Sequence, residues 1–519
     1  MRAMRWWHIA GFFVLAALML GAVTAQHRSV FFGGGVTFVD ADCYSRMTRV
    51  ERVLEHPFRS IRHQDFENAP AGIETHATAP LDWLIALLAV AISPFSAQSL
   101  DLAGAWISPL LGLATLTALW IWSTRERLPY RHAMLLLVAV SPMLVQAFKL
   151  GRPDHQSLLL FLIASGLVAE ATLWRRASRA VAIGWGAAWS IALWTSLYEP
   201  LVLFVLLLAL RLAFLRKRAF EKPWPLAWGV LAAGVAVALL FDGWRVSVPA
   251  PEVEEYFARW SLGIGELAHL SPFSAQFPGW LGWLAPAIPL LLAWRFVKTR
   301  DAWLAGLLVL LLATYALTCW QIRWGCYFAL VGAMALPFAL AAIRWRAAAW
   351  TAFLLSLWPV AAQWDALLFP SEDQQAARAE WREDYAELRA LSKELSSRAP
   401  GIVLAPWWLS PPLAYWSGHP CVAGSSHESL PGIVDTARFY FATDAAPARE
   451  IVARRDIRYI VAYEPDRVLG TAATLLDAPI PRRSLGEILY RVPSLAPSWL
   501  TLVDASAFFK LYEVQDHGL

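Results

Sequence analysis

Charge is scarce in this sequence. Of 519 residues only 16% are Asp, Glu, Lys or Arg, while 58% are hydrophobic. Such a composition excludes a disordered chain and argues against a plain soluble enzyme. Cysteine is sparse as well: Cys43, Cys319, Cys326 and Cys421 form no CxxC or CxxH pair, so neither a structural zinc motif nor a disulfide framework is indicated. No repeat of fixed period and no low-complexity segment occurs. Net charge is only +4, from 44 Lys and Arg against 40 Asp and Glu, and the basic residues fall in short clusters rather than one stripe. That pattern fits membrane orientation and not nucleic-acid binding.

What the chain has in abundance is apolar sequence, with 29 Trp and a mean hydropathy of +0.46. A membrane span needs about 20 mostly apolar residues. Runs that qualify lie near 7–25, 102–122, 133–149, 157–173, 180–197, 200–215, 225–241, 281–296, 303–320, 325–343 and 347–369. The first begins like a signal peptide but continues beyond a usual h-region, and reads as an uncleaved span. Residues 81–95 are apolar but short. The basic clusters Arg2/Arg5, Arg125/Arg127/Arg131, Arg175/Arg176/Arg179, Arg216/Lys217/Arg218, Lys298/Arg300 and Arg344/Arg346 all fall on the cytoplasmic side if 81–95 does not cross. This segment is therefore expected to lie in or on the outer leaflet.

The expected architecture is a polytopic α-helical membrane domain of about 11 spans over 1–369, followed by a smaller soluble α/β domain over 370–519 on the outer face. External loops are expected at 26–101, 150–156 and 242–280. The tail opens with a charged helical stretch, Glu372 to Ser397. Strand-like runs (Gly401 to Ala405, Tyr459 to Tyr463) then alternate with helix-like ones (Ser429 to Phe441, Ala446 to Arg454).

The polar residues with chemical potential gather on the outer side. Asp40 and Asp42 follow Gly33-Gly34-Gly35 just outside the first span; carboxylates at such a mouth can hold a divalent cation, and Asp42 can equally cap the helix through Tyr44 to Leu54. Lys149-Leu150-Gly151-Arg152-Pro153-Asp154-His155-Gln156 is a polar knot between apolar runs, where an unpaired Asp or His is costly; the alternative is again an Asp cap. Glu266 stands among apolar and Gly neighbours, unlike Glu252, Glu254 and Glu255, which read as a solvated face. Three acidic groups from three loops suit Mg²⁺ or Mn²⁺ with waters completing the shell.

Arg323, at an outer span end, can clamp a lipid phosphate with its planar fork or snorkel to the headgroups. Glu199 in Tyr198-Glu199-Pro200 fits either a functional contact or a tight turn. In the tail, Trp407 and Trp408 end a strand, where adjacent Trp can wall a peptide or sugar site or pack at an interface. The stretch from Gly418 to Glu428 holds Ser and His but no GxSxG elbow.

Taken in order, these pieces resemble the catalytic subunit of oligosaccharyltransferases, within the GT-C class of membrane glycosyltransferases. Asp42-Cys43-Tyr44 with Arg46 is similar to the family's Asp-x-Tyr motif in the first external loop. Gly151-Arg152-Pro153-Asp154-His155-Gln156 is similar to its Gly-x-x-Asp-x-acidic motif. Glu266 corresponds to a Glu of the fifth external loop, Arg323 to an Arg on a late span, and Trp407-Trp408-Leu409 to a Trp-Trp-Asp sequence.

The resemblance implies transfer of a sugar or oligosaccharide from a polyprenyl phosphate or diphosphate donor in the bilayer to a protein or glycan acceptor. It places the chain in the plasma or inner membrane. Asp42, Asp154 and Glu266 are then the catalytic candidates. With Gln156 they are also the candidate ligands of Mg²⁺ or Mn²⁺, while Arg323, Tyr44, Arg46, His155, Trp407 and Trp408 are the substrate-binding candidates.

Two positions depart from the family: Gln156 replaces an acidic ligand, and Leu409 replaces the Asp that helps hold the acceptor's Ser or Thr. A polyprenyl-phosphate monosaccharide transferase acting on a lipid or glycan is the nearest alternative. A transporter or flippase expects midplane charges and repeated halves, and an inactive envelope scaffold is the remaining reading.

Overall fold

The computed structural model describes residues 6–57, 59–216, 221–243, 245 and 253–515. Arg2, Arg5, Lys217, Arg218 and Glu252 lie outside them. The chain divides into two compact units, each assembled from separated segments. One comprises 1–27, 104–244 and 265–374, the other 28–103, 245–264 and 375–519.

The first unit is helical. Among the described residues seven helices are long and apolar enough to cross a membrane: His8–Ser29, Ser99–Arg125, His155–Leu173, Tyr198–Leu215, Trp224–Phe241, Ala302–Trp320 and Ile322–Leu340. An eighth is added if Arg346–Leu368 is counted with its continuation Glu372–Ser396, bent by 56°. The eleven expected runs therefore do not all become uninterrupted spans. Residues 133–149 split into Arg131–Val140 and Pro142–Ala147, because Pro142 drives Ser141 out of the helical region to ψ 117°. The run at 281–296 starts its helix late, at Ala287, after Gly282 turns with φ +80°; a Cβ there would meet the Ser356 carbonyl oxygen at 2.6 Å. Residues 347–369 form two helices, Arg346–Ser356 and Trp358–Leu368, with Pro359 in the first turn of the second. The run at 180–197 gives a single helix, Arg179–Thr195.

This unit also encloses an ion pair that the sequence reading did not anticipate. Glu170, near the end of His155–Leu173, takes Arg211 Nε at 3.0 Å and NH2 at 2.5 Å. The indole N–H groups of Trp174 and Trp185 donate to the two carboxylate oxygens at 2.6 Å each. The Arg211 guanidinium lies 3.6 Å from the Trp224 ring centroid. Two charges can remain inside an apolar bundle only when matched in this way.

The second unit has a four-stranded sheet. Ile402–Leu404 runs parallel to Ile457–Ala462, which pairs antiparallel with Lys510–Val514; Leu500–Ala505 closes the far edge. Helices Leu430–Phe441, Pro465–Leu476 and Leu485–Arg491 complete the α/β layer, and the core is Val403, Leu404, Ile460, Val461, Leu511 and Tyr512 with their neighbours. Segment 66–69 joins this layer. Cys421 N–H donates to Phe66 O, and Ala69 N–H donates to Cys421 O, both at 3.0 Å. Arg455, held by Asp435 at 2.8 Å, donates to Asn68 Oδ1 at 3.0 Å. The apolar helix Ala79–Ile92 spans only 14 residues and exposes Leu84, Leu87 and Val90. It is too short to cross, and its apolar face suits an interfacial position.

Glu67 is buried within this junction. Ser45 donates to one of its carboxylate oxygens and Ser429 to the other, the latter at 2.9 Å. A Cβ on Gly424 would meet Glu67 Oε2 at 2.1 Å, so the backbone there must be glycine. Burial, with a smaller contribution from Asp42, pushes the Glu67 carboxyl from 4.5 up to about 8, against the lowering effect of Ser429. The folded chain thus keeps a proton that the unfolded chain releases above its own, lower pKa. The stability this proton confers is full below 4.5 and is lost as pH rises toward 8. Glu67→Gln, which cannot ionise, should flatten the fall in thermal midpoint across that window and raise the midpoint at pH 8.5 by a few degrees. Unfolding of the purified protein in detergent at pH 5 and pH 8.5 checks this.

Candidate functional site

The first unit brings Asp154, Arg152, Gln156, Glu266, Arg323 and Glu199 into one chain of contacts. The starting point is the turn before His155–Leu173. Gly151 adopts φ +75° and donates its N–H to Ala105 O at 3.0 Å, and Leu150 N–H donates to Val23 O at 3.0 Å. Ser108 donates to the Arg152 carbonyl. These bonds fix the knot to two neighbouring helices. Asp154 then occupies the N-cap position with extended backbone, yet its side chain makes no capping bond. Its Oδ2 instead accepts from Arg152 at 3.1 Å, and its Oδ1 lies 2.7 Å from His155 Nδ1. The cap alternative for Asp154 is thereby set aside.

From Arg152 the contacts continue outward. Arg152 NH2 reaches Gln156 Oε1 at 3.4 Å, and Gln156 Nε2 donates to Glu266 Oε2 at 3.1 Å. Glu266 Oε1 faces Arg323 NH1 at 3.7 Å, while Arg323 NH2 is bound to Glu199 Oε1 at 2.5 Å. Ser196 donates to the second Glu199 oxygen at 3.1 Å. The Arg323 guanidinium also stands 5.4 Å from the Tyr198 ring centroid. Asp154, His155, Gln156, Glu266 and Arg323 thus form one network with Arg152 and Glu199. The sequence signal for Glu199 was its place at the mouth of an apolar helix; its partner was not readable.

Electrostatically the series alternates: Asp154, Arg152, Gln156, Glu266, Arg323, Glu199. Gln156 is used at both ends of its amide, accepting from a guanidinium and donating to a carboxylate. A carboxylate at 156 could not donate to Glu266 and would repel it. The network is open at its near end, since Glu266 has a side-chain exposure of 41%. Arg323 Nε is buried with no hydrogen-bond partner among the described residues, and its contact with Glu266 is long. Arg323 therefore retains donor capacity for an anion.

The second unit holds the other candidates. Asp40, not Asp42, caps the helix Ala41–Glu55, accepting from Cys43 N–H at 3.0 Å; Asp42 sits in the first turn. Tyr44 is wholly buried, its hydroxyl accepting from Phe38 N–H at 3.0 Å and its ring packed edge-on against Trp416. Burial, reinforced by Tyr385, pushes its phenol well above the usual range. Arg46 and Arg49 both bind Asp82, at 2.7 Å and 2.9 Å, which locks Ala41–Glu55 onto Ala79–Ile92. Trp407 meets Trp408 and Trp260 edge-on, and Arg467 stands 5.0 Å from the Trp408 ring centroid. Leu409 is buried in the tail core.

Asp154, Gln156 and Glu266 are each engaged within the network. Asp154 spends its oxygens on Arg152 and His155, and Glu266 on Gln156 and Arg323. Guanidinium groups supply the positive charge between the acidic ones. A group of side chains able to hold a divalent ion does occur in the second unit: the ligand atoms of His76, His427 and Glu428 lie within 4.8 Å of one another. His76 and His427 are too distant in sequence for any spacing motif to have revealed them.

No protein-family model matches the chain, and no curated protein does. Solved structures do. The Archaeoglobus fulgidus oligosaccharyltransferase in complex with Zn and sulfate matches with TM-score 0.70 over 96% of this chain and 79% of its own, at 15% identity. The same organism's AglB, bound to an inhibitory peptide and a dolichol-phosphate, gives 0.65 over 88% and 69%, at 16% identity. ArnT from Cupriavidus metallidurans gives 0.55 over 98% and 97%, at 14% identity. The chain thus has the GT-C fold, and its apolar helices mark an integral membrane protein.

Removing one partner of a buried ion pair leaves the other charge uncompensated, at about 3–5 kcal/mol. Glu199→Ala should therefore lower stability by roughly that amount, and Arg323→Ala in the same protein should restore most of it. A double-mutant cycle on thermal unfolding in detergent measures the coupling; additive losses would show that the pair is not linked.

Proposed function

We propose that this chain is a membrane glycosyltransferase that moves a sugar or oligosaccharide from a polyprenyl phosphate or diphosphate donor to an acceptor at the outer face. The observation that carries the reading is Arg323: a guanidinium anchored on Glu199, with donor capacity left over, at the end of an apolar helix and in one network with Asp154. The fold supports it, and so does the dolichol-phosphate bound by AglB.

In the reaction the bond between the sugar's anomeric carbon and the phosphate oxygen breaks while one to the acceptor's nucleophilic atom forms. Charge grows on the departing phosphate, and N–H donors fixed in advance at that place stabilise it without reorganisation. Arg323 supplies those donors, and its ion pair with Glu199 holds them in position. Asp154 takes the acceptor's proton, with Arg152 and His155 orienting its carboxylate and His155 contributing to substrate contact. Glu266 and Gln156 keep the two arginines in register. Asp42, as base or cation ligand, and Trp407 and Trp408, as an aromatic wall, are the further candidates, all within the second unit.

Leu409 favours a second reading of the acceptor. A buried leucine cannot hold the hydroxyl of a sequon, so a lipid or glycan acceptor of a polyprenyl-phosphate monosaccharide transferase fits as well; competition between mono- and diphosphate donor lipids separates the two. Asp154→Asn should abolish transfer while leaving membrane insertion and expression intact. In cells lacking the protein, mass spectrometry should reveal an accumulated polyprenyl-linked glycan that wild type clears and Asp154→Asn does not. Clearance by both would remove Asp154 from the mechanism.

A further inference from the structure

The segment 73–78 and the tail stretch 424–429 belong to the same unit, and their contact is polar in an unusual way. Glu428 has a side-chain exposure of only 7%. Its Oε1 accepts from the His76 backbone N–H at 3.0 Å and lies 2.7 Å from His76 Nδ1. Its Oε2 is buried, has no hydrogen-bond partner among the described residues, and faces His427 Nδ1 at 3.5 Å. The two imidazole rings stand 5.1 Å apart at 31°. Glu428 is thus flanked by two imidazoles with one of its oxygens unbonded.

We infer that His76, His427 and Glu428 bind a divalent transition-metal ion, Zn²⁺ by chemical class. Two imidazole nitrogens and one carboxylate oxygen form a borderline donor set that suits zinc and its neighbours; magnesium and calcium demand oxygen alone. Zinc ligands stand about 2.0–2.2 Å from the ion, and the three donor groups are already gathered within 4.8 Å of one another. Coordination removes the cost of the unbonded carboxylate oxygen. His76 is exposed, which leaves a fourth position for water.

The ion ties the first loop to the tail across some 350 residues of sequence, and its consequence reaches further. Ser429, next to Glu428, donates to Glu67 at 2.9 Å, and Ser45 on the Asp42-bearing helix Ala41–Glu55 donates to the same carboxyl. Occupancy holds that helix through two hydrogen bonds. The site is separate in composition from Asp154, Gln156 and Glu266, and the inference does not depend on the transferase reading.

The test uses the full-length protein in detergent, stripped with a chelator, loaded with Zn²⁺ and desalted. Metal analysis should find one tightly held zinc per chain and a raised thermal midpoint. His76→Ala/His427→Ala should lose both the ion and the shift, whereas Asp154→Asn should keep them. X-ray absorption on the zinc-loaded wild type should show a two-imidazole scattering shell, which decides the matter even if the double variant fails to fold. No retained zinc in wild type, unchanged zinc in the double variant, or a spectrum without imidazole scattering would each overturn the site.

Discussion

A charge facing a bilayer must bring its counter-charge with it. This one constraint organises both polar regions of the first unit, which lie at opposite ends of a single helix, His155–Leu173. Near one end Glu170 is sealed by Arg211, Trp174 and Trp185, with side-chain exposures of 0% and 1% for the ion pair. At the other, Asp154 is bound by Arg152 and His155 but remains within reach of solvent. Sixteen positions of sequence, roughly 24 Å of helical rise, separate them. The same physics therefore yields one sealed group and one that solvent can reach. Accessibility and surplus hydrogen-bond capacity tell them apart, not the presence of charge.

Much of this was legible before the fold was known, because cost is visible in sequence. Asp154, Glu266 and Arg323, charges placed against apolar runs, were expected to be paired or functional, and each is paired. The strands at 402–404 and 457–462 and the helices at 430–441 and 445–454 also followed from local pattern. What failed was anything set by a partner. Hydropathy cannot see that Pro142 breaks residues 133–149, because apolar composition continues straight through the break. Nor can spacing reveal Glu199 as the counter-ion of Arg323, or His76 as the neighbour of His427. Asp42 was expected to cap its helix as one alternative, yet Asp40 does so, since the cap belongs to whichever residue is extended just before the first turn.

Gln156 shows how a departure from a family pattern can be chemically complete. Read as a missing ligand it is a defect. In the structure its amide accepts from Arg152 and donates to Glu266, a bridging role that a carboxylate cannot fill without repulsion. The substitution belongs with the two arginines that carry the positive charge of this network.

The second unit follows a parallel logic with different chemistry. Arg46 and Arg49 share Asp82, Arg455 joins Asp435 to Asn68, and Glu67 remains protonated between two serines. Each contact spans segments far apart in sequence, and each is buried, so the first loop is a structural part of the tail's domain and not a free connector. Asp42 is thereby mounted on a helix whose position is fixed from both sides. Its first-turn place is held by Asp40, its middle by Arg46 and Arg49, and its inner face by Ser45 through Glu67. Buried polar contacts from separated segments thus fix the position of Ala41–Glu55 within its unit, a rigidity that local sequence around the helix does not encode.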